Sequence, residues 1–120
     1  MKVERSEHAC AMRGNDVFVI GGESAWRNSL EVWNGKSWLY SIAPIGATRL
    51  QLISQGRNLY LFGGWENLNF VDNKIWKINP ANEFIHVGNT VIARIDYALF
   101  TVPHGFLSNC QGMYLQLRYF

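Results

Sequence analysis

Residues 57–70 read RNLYLFGGWENLNF. Four strand-forming residues, Leu59-Tyr60-Leu61-Phe62, end at Gly63-Gly64, and a polar, aromatic segment follows. Residues 15–30, NDVFVIGGESAWRNSL, do the same with Val17-Phe18-Val19-Ile20 and Gly21-Gly22. The two diglycines lie 42 residues apart, a spacing typical of repeated supersecondary units. Set on the glycines, MRGNDVFVIGG (12–22) lies over SQGRNLYLFGG (54–64), with Gly14 over Gly56. Farther on, LEVWNGKSWLYSI (30–42) corresponds to IWKINPANEFIHV (75–87), so Asn34 answers Asn79 and Trp38 answers Phe84. One structural unit is used twice.

Each unit reads as four short strands, near 7–12, 16–21, 29–33 and 37–41 in the first and near 49–54, 58–63, 73–78 and 83–87 in the second. Turn residues stand between them: Gly14-Asn15, Asn34-Gly35, Gly56-Arg57 and Asn79-Pro80. Asn-Gly between apolar runs is a strong hairpin signal because both residues tolerate positive φ. No dozen-residue stretch carries helical periodicity with caps. The expected fold class is all-β, built of four-stranded antiparallel units.

The chain has 120 residues, 48% apolar and 14% aromatic, enough for one ordinary core. Its net charge of +2 is spread thinly: seven basic and five acidic side chains in residues 1–60, four of each in 61–120. Nucleic acid and anionic membranes call for a concentrated basic patch, so neither is an expected partner. The opening MKVERSEHACAMRG lacks the apolar centre of a secretory leader, and no window approaches a membrane-spanning length. A cytoplasmic location is the expectation. Cys10 and Cys110 have no metal-like spacing and read as buried free thiols, with a disulfide between them as the alternative.

The pattern of apolar strand, Gly-Gly, polar loop, apolar strand with an acid, and then Trp resembles the kelch repeat. VFVIGG and LYLFGG fit the diglycine strand, and SLEVWNGKSWLYSIAP fits the third and fourth strands with Trp38 at the aromatic position. The second unit departs by placing Phe84 there and Trp76 where the acid usually stands. ARIDYALFTVP (93–103) begins a third unit, and after Pro103 the pattern ends. The resemblance implies two blades of a β-propeller (1–43 and 44–91), then a partial third blade with an irregular C-terminal tail (92–120). Propellers close with roughly four to eight blades, so this one is partial and open. Remaining blades or self-association are expected to complete it. Trp33, Trp38, Trp76 and Phe84 are expected as structural aromatics between blades, and Gly21, Gly22, Gly63 and Gly64 as structural glycines.

Loops on a rigid β scaffold carry binding residues. Glu23, Ser24, Trp26, Arg27 and Asn28 follow the first diglycine; Trp65, Glu66, Asn67 and Asn69 follow the second. Acids, amides, Arg and Trp together suit peptide recognition, since Trp and Arg dominate interface hot spots. Packing of Trp26 or Trp65 on its own blade is the alternative. Arg49 stands in the connection between units, and Arg5 and Arg94 are read in comparable connections, together forming a rim of guanidinium groups. Salt bridging to a neighbouring blade is the alternative for these.

Kelch propellers in substrate adaptors hold peptides at such rims, so the resemblance implies a protein-interaction module with a protein or peptide partner. Other kelch-like propellers are enzymes, among them copper radical oxidases and sugar epimerases. A fragment of such an enzyme, with Arg49 or Tyr97 contributing near the axis, is the second reading, and a structural remnant the third. Asp96 and Tyr97 read equally as structural. His8, His86 and His104 are scattered, and no nucleophile, metal or phosphate-loop motif is present. No catalytic residue, metal or cofactor is expected.

Overall fold

In a computed structural model of the chain, residues 1–23, 27–66 and 71–90 are described in full, together with the backbone of 67, 70, 97–98 and 118–119. Among the described residues there is no helix. The strands of the first unit are β1 (Ala9–Arg13), β2 (Asp16–Ile20), β3 (Ser29–Trp33) and β4 (Trp38–Ile42). They form an antiparallel sheet in that order. In the second unit β5 (Gln51–Gln55) and β6 (Asn58–Phe62) are followed by a hairpin of β7 (Trp65–Asn67) and β8 (Phe70–Val71). Then come β9 (Lys74–Ile78) and β10 (Phe84–Asn89), giving a second antiparallel sheet of order β5-β6-β9-β10. Both sheets are open. Near the C-terminus β11 (Tyr97–Ala98) pairs antiparallel with β12 (Arg118–Tyr119).

The two sheets share one strand register. Val19 faces Glu31 and Leu61 faces Trp76, so the offset is 42 residues before each diglycine and 45 beyond it. The longer second connection folds on itself, with Trp65 opposite Val71, where the strand pattern alone leaves a loop. Turn chemistry matches across the units. Asn34 Oδ1 accepts from the Lys36 and Ser37 amides at 3.0 and 2.9 Å, and Asn79 Oδ1 from Ala81 and Glu83 at 3.0 and 2.9 Å. In each case the side chain imitates a backbone acceptor and closes the turn.

Alternation along the strands sets the packing. Ala9, Ala11, Phe18, Ile20, Leu30 and Val32 share one face of the first sheet. Leu52, Leu59, Leu61, Trp76, Ile78 and Phe84 share one face of the second. These two faces meet, and Ala43, Ile45, Ala47 and Leu50 of the connection complete a single core. Phe18, Ile20, Leu30, Leu59, Leu61 and Ile78 are fully buried, each stabilised by about 1.5–3 kcal/mol for leaving water. At the far end Arg13 reaches across the interface, donating to Asn79 O at 2.7 Å and Asn82 Oδ1 at 2.6 Å. Burial lowers its pKa, and Asp16 opposes that shift.

Trp76 and Phe84 thus pack against the inter-sheet core. Trp33 and Trp38 pair with each other, centroids 5.6 Å apart, on the opposite face of the first sheet. Cys10 also points to that face, because Ala9 beside it turns inward; it is an exposed free thiol rather than a buried one. Cys110 lies outside the described residues.

The connection runs tightly against both diglycines. Gly21, Gly22, Gly63 and Gly64 all have positive φ. A Cβ on Gly64 would stand 2.5 Å from Leu50 Cδ2, and one on Gly21 would stand 2.5 Å from Ala47 O. Glycine is required there on two counts, backbone conformation and space.

Candidate functional site

Every strand end that leads into or out of a diglycine falls at one end of the molecule, since Ala9 pairs with Ile20 and Gln51 with Phe62. The two post-diglycine loops, the inter-sheet connection and the segment before β1 therefore gather on one rim. Isolated bridges pin them: Ser6 pairs with Glu23, and Thr48 with Trp65. These bridges place Glu7 and Arg49 at equivalent positions of the two units. Both adopt left-handed backbone, φ 53° and 56°.

Arg49 is the centre of this rim. Its amide donates to Glu7 O at 3.0 Å, and its guanidinium lies 3.4 Å from the Glu7 carboxylate. The guanidinium also sits 5.3 Å from the centroid of the Trp65 ring, a cation–π distance. Trp65 is half-buried, its backbone held by Thr48 in both directions, at 2.8 and 3.1 Å. Arg27, exposed on the first loop, donates to Glu66 O at 3.1 Å and so ties the loops of the two sheets together. Its Cγ passes close to Gly46 of the connection.

Glu66 and Asp72 form a carboxyl pair beneath the second loop. Asp72 is buried; its amide donates to Gly64 O at 2.9 Å and its Oδ1 accepts from the Lys74 amide at 2.8 Å. Burial raises the pKa of Glu66, the Asp72 carboxylate and a hydrogen bond to it add to the rise, and Lys74 opposes it. Asp72 lies outside the residues expected from sequence. An acid set between Phe70-Val71 and Ile75-Trp76, followed two residues later by the start of a strand, is the signal that marks it.

Of the rim residues expected from sequence, Glu23, Arg27, Arg49, Trp65 and Glu66 gather here. For Asn67 only the backbone is described, in β7; Trp26, Ser24, Asn69 and Arg94 lie outside the described residues. Arg5 does not belong to the rim. Its side chain is fully buried, paired with Glu31 at 2.8 Å and donating to Gly21 O at 2.9 Å and Ser29 Oγ at 2.8 Å. The residue equivalent to Arg49 is Glu7, and the residue equivalent to Arg5 is Ala47. Where the first sheet buries Arg5 with Glu31, the second places Ala47 and Trp76, an apolar solution to the same two positions.

Among the described residues no three His, Cys, Asp or Glu side chains come together as a metal site, and no helix is long and apolar enough to cross a membrane. No protein family and no curated protein matches the chain. Among solved structures, that of YjhT superposes with a TM-score of 0.71 at 20% identity, over 86% of this chain and 33% of that one. The chain thus spans about a third of the length of that structure. The likeness is one of fold: two four-stranded antiparallel sheets of an all-β protein.

Proposed function

We propose that the chain is a two-blade segment of a kelch-type β-propeller acting as a protein-interaction module, its rim contacting a protein or peptide. The observation that carries this reading is the hydrogen bond from Arg27 to Glu66 O, which makes the loops of two successive sheets one continuous surface. That surface offers exposed Arg27 and Glu23 beside half-buried Trp65 and Arg49, a charged and aromatic mixture of the kind that anchors peptides. Two successive four-stranded antiparallel sheets packed face to face support the propeller part.

The rim is tested by Glu23→Ala, Arg27→Ala and Arg49→Ala in the otherwise intact chain, used as bait in quantitative affinity capture. Partners that depend on the rim should fall at least tenfold in recovery with Arg27→Ala, while thermal stability stays within about 0.5 kcal/mol, as for exposed substitutions. Full recovery across all three variants overturns the assignment.

A further inference from the structure

The outer edge of the first sheet is open and unguarded. β4 ends the order β1-β2-β3-β4, and among the described residues only β3 pairs with it. Its ladder is pinned at both ends, by Asn34 N donating to Ser37 O at 3.3 Å and Ala43 N to Asn28 O at 2.7 Å. Bonded pairs alternate along an antiparallel ladder, so Leu39 and Ser41 turn their N–H and C=O toward β3. Trp38, Tyr40 and Ile42 turn theirs outward. The side chains of these three share one face of the sheet, with Tyr40 42% and Ile42 71% exposed; Leu39, on the other face, is 52% exposed. The strand Trp38-Leu39-Tyr40-Ser41-Ile42 has no charge, no proline and no bulge. Edge strands are normally blunted by one of these. The second sheet follows that rule: the register of β10 breaks between His86 and Gly88, and His86 Nε2 lies 2.8 Å from Gly88 O.

We propose that a second copy of this chain pairs on β4, antiparallel about a two-fold axis at Tyr40, joining the two first sheets edge to edge. Such a contact is isologous, each copy offering the same strand to the other. Only a register centred on Tyr40 uses all three outward residues of both copies. In it Tyr40 meets Tyr40, and Trp38 of each copy meets Ile42 of the other. Aromatic on aromatic and aromatic on β-branched are pairings that stabilise sheets. The ends of the strand fit the same register. Lys36 falls opposite Pro44 rather than another lysine, and Pro44 has no N–H to offer, so the new ladder stops after Ile42. These matches make the occupant a copy: any extended segment could use the backbone edge, but the side chains of β4 suit β4 itself. A five-residue edge is a small contact of the weak, transient class, so the dimer forms reversibly as concentration rises. The pairing rests on β4 alone, on neither the rim nor the propeller reading.

The test is sedimentation equilibrium of the 120-residue chain over a concentration series, with the variants Tyr40→Lys, Tyr40→Glu and Ile42→Pro. Wild type is expected to move from the protomer mass to twice that mass as concentration rises. Tyr40→Lys and Tyr40→Glu each set like charges opposite one another across the axis, and each alone is expected to stay monomeric. Mixed in equal amounts, the two are expected to dimerise through opposite charges. Ile42→Pro removes an outward N–H and spares the ladder to β3, so it is expected to fold and to lose the dimer. It decides the question if the Tyr40 variants do not fold. Hydrogen exchange reads the register: the Tyr40 and Ile42 amides are expected to slow at least tenfold in the dimer, while Leu39 and Ser41 are protected at every concentration. A wild-type monomer throughout overturns the proposal, even where an added extended peptide slows the same amides. So does a dimer that Ile42→Pro leaves intact, and so do folded Tyr40 variants that fail to pair when mixed.

Discussion

Glu7 and Arg49 occupy the same position in successive units, share a left-handed backbone, and bond to each other, amide to carbonyl at 3.0 Å and guanidinium to carboxylate at 3.4 Å. A repeat normally places like residues side by side; here unlike charges replace like ones and the contact becomes attractive. The Arg49 and Glu7 side chains keep 33% and 42% of their surface in water, which screens the pair. A double-mutant cycle of Glu7→Gln and Arg49→Gln, followed by urea unfolding, is expected to give a coupling of about 0.2–1 kcal/mol that shrinks in high salt. A coupling of zero would show the backbone bond, which all four proteins of the cycle keep, to be the link.

Gly64 separates steric need from conformational preference. A Cβ there would stand 2.5 Å from Leu50 Cδ2 and 3.0 Å from Ala47 Cβ, with φ at 109°. At Gly14 and Gly56 the φ is also positive, 59° and 60°, but nothing lies within 4 Å. Gly14→Ala and Gly56→Ala are therefore expected to cost about 1–2 kcal/mol, the left-handed penalty alone. Gly64→Ala adds overpacking, about 1–3 kcal/mol more. Equal losses in thermal or urea unfolding would mean that Leu50 moves aside freely.

Arg5 and Glu31 form a fully buried ion pair, with Ser29 Oγ and Gly21 O taking further guanidinium protons. Glu31 Oε1 also accepts from the Lys2 amide. Removing one partner strands the other, so Arg5→Ala or Glu31→Ala is expected to destabilise by about 3–5 kcal/mol. The second unit holds Ala47 and Trp76 at these positions. The double variant Arg5→Ala/Glu31→Trp copies that arrangement, and its loss of stability is expected to be smaller than that of either single alanine variant. Additive losses in unfolding midpoints would rule out transfer of the apolar solution.

How much of this was legible follows from what each signal measures. Apolar runs and Asn or Gly turns report local conformation, and they located eight strands and the 42-residue repeat to within about two residues. Tertiary register is a weaker inference. Arg5 and Arg49 look alike in sequence, but the Ser6–Glu23 and Thr48–Trp65 bridges set Arg49 against Glu7 and turn Arg5 into the interior. The β7–β8 hairpin was hidden because Trp65-Glu66-Asn67 has loop composition; it forms where three extra residues let the chain pair with itself. Residue type favours burial of Cys10, whereas its place in the alternation of β1 leaves it exposed.

The Glu66–Asp72 pair makes a prediction about pH. Burial and the neighbouring Asp72 hold the Glu66 pKa above the ordinary carboxyl value, with Lys74 opposing. The folded chain therefore keeps the Glu66 proton to higher pH than the unfolded chain does. Between the two pKa values the folded state binds more protons, so stability falls as pH rises. The contribution from Glu66 is fully present below the ordinary carboxyl range and lost once pH passes the raised value. Glu66→Gln keeps a neutral donor facing Asp72 and removes this titration. Urea midpoints measured at about pH 4 and about pH 7 are expected to differ less in Glu66→Gln than in wild type, with the gain appearing at the higher pH. Identical pH profiles for the two proteins would show that Glu66 ionises in the folded state as freely as in the unfolded one.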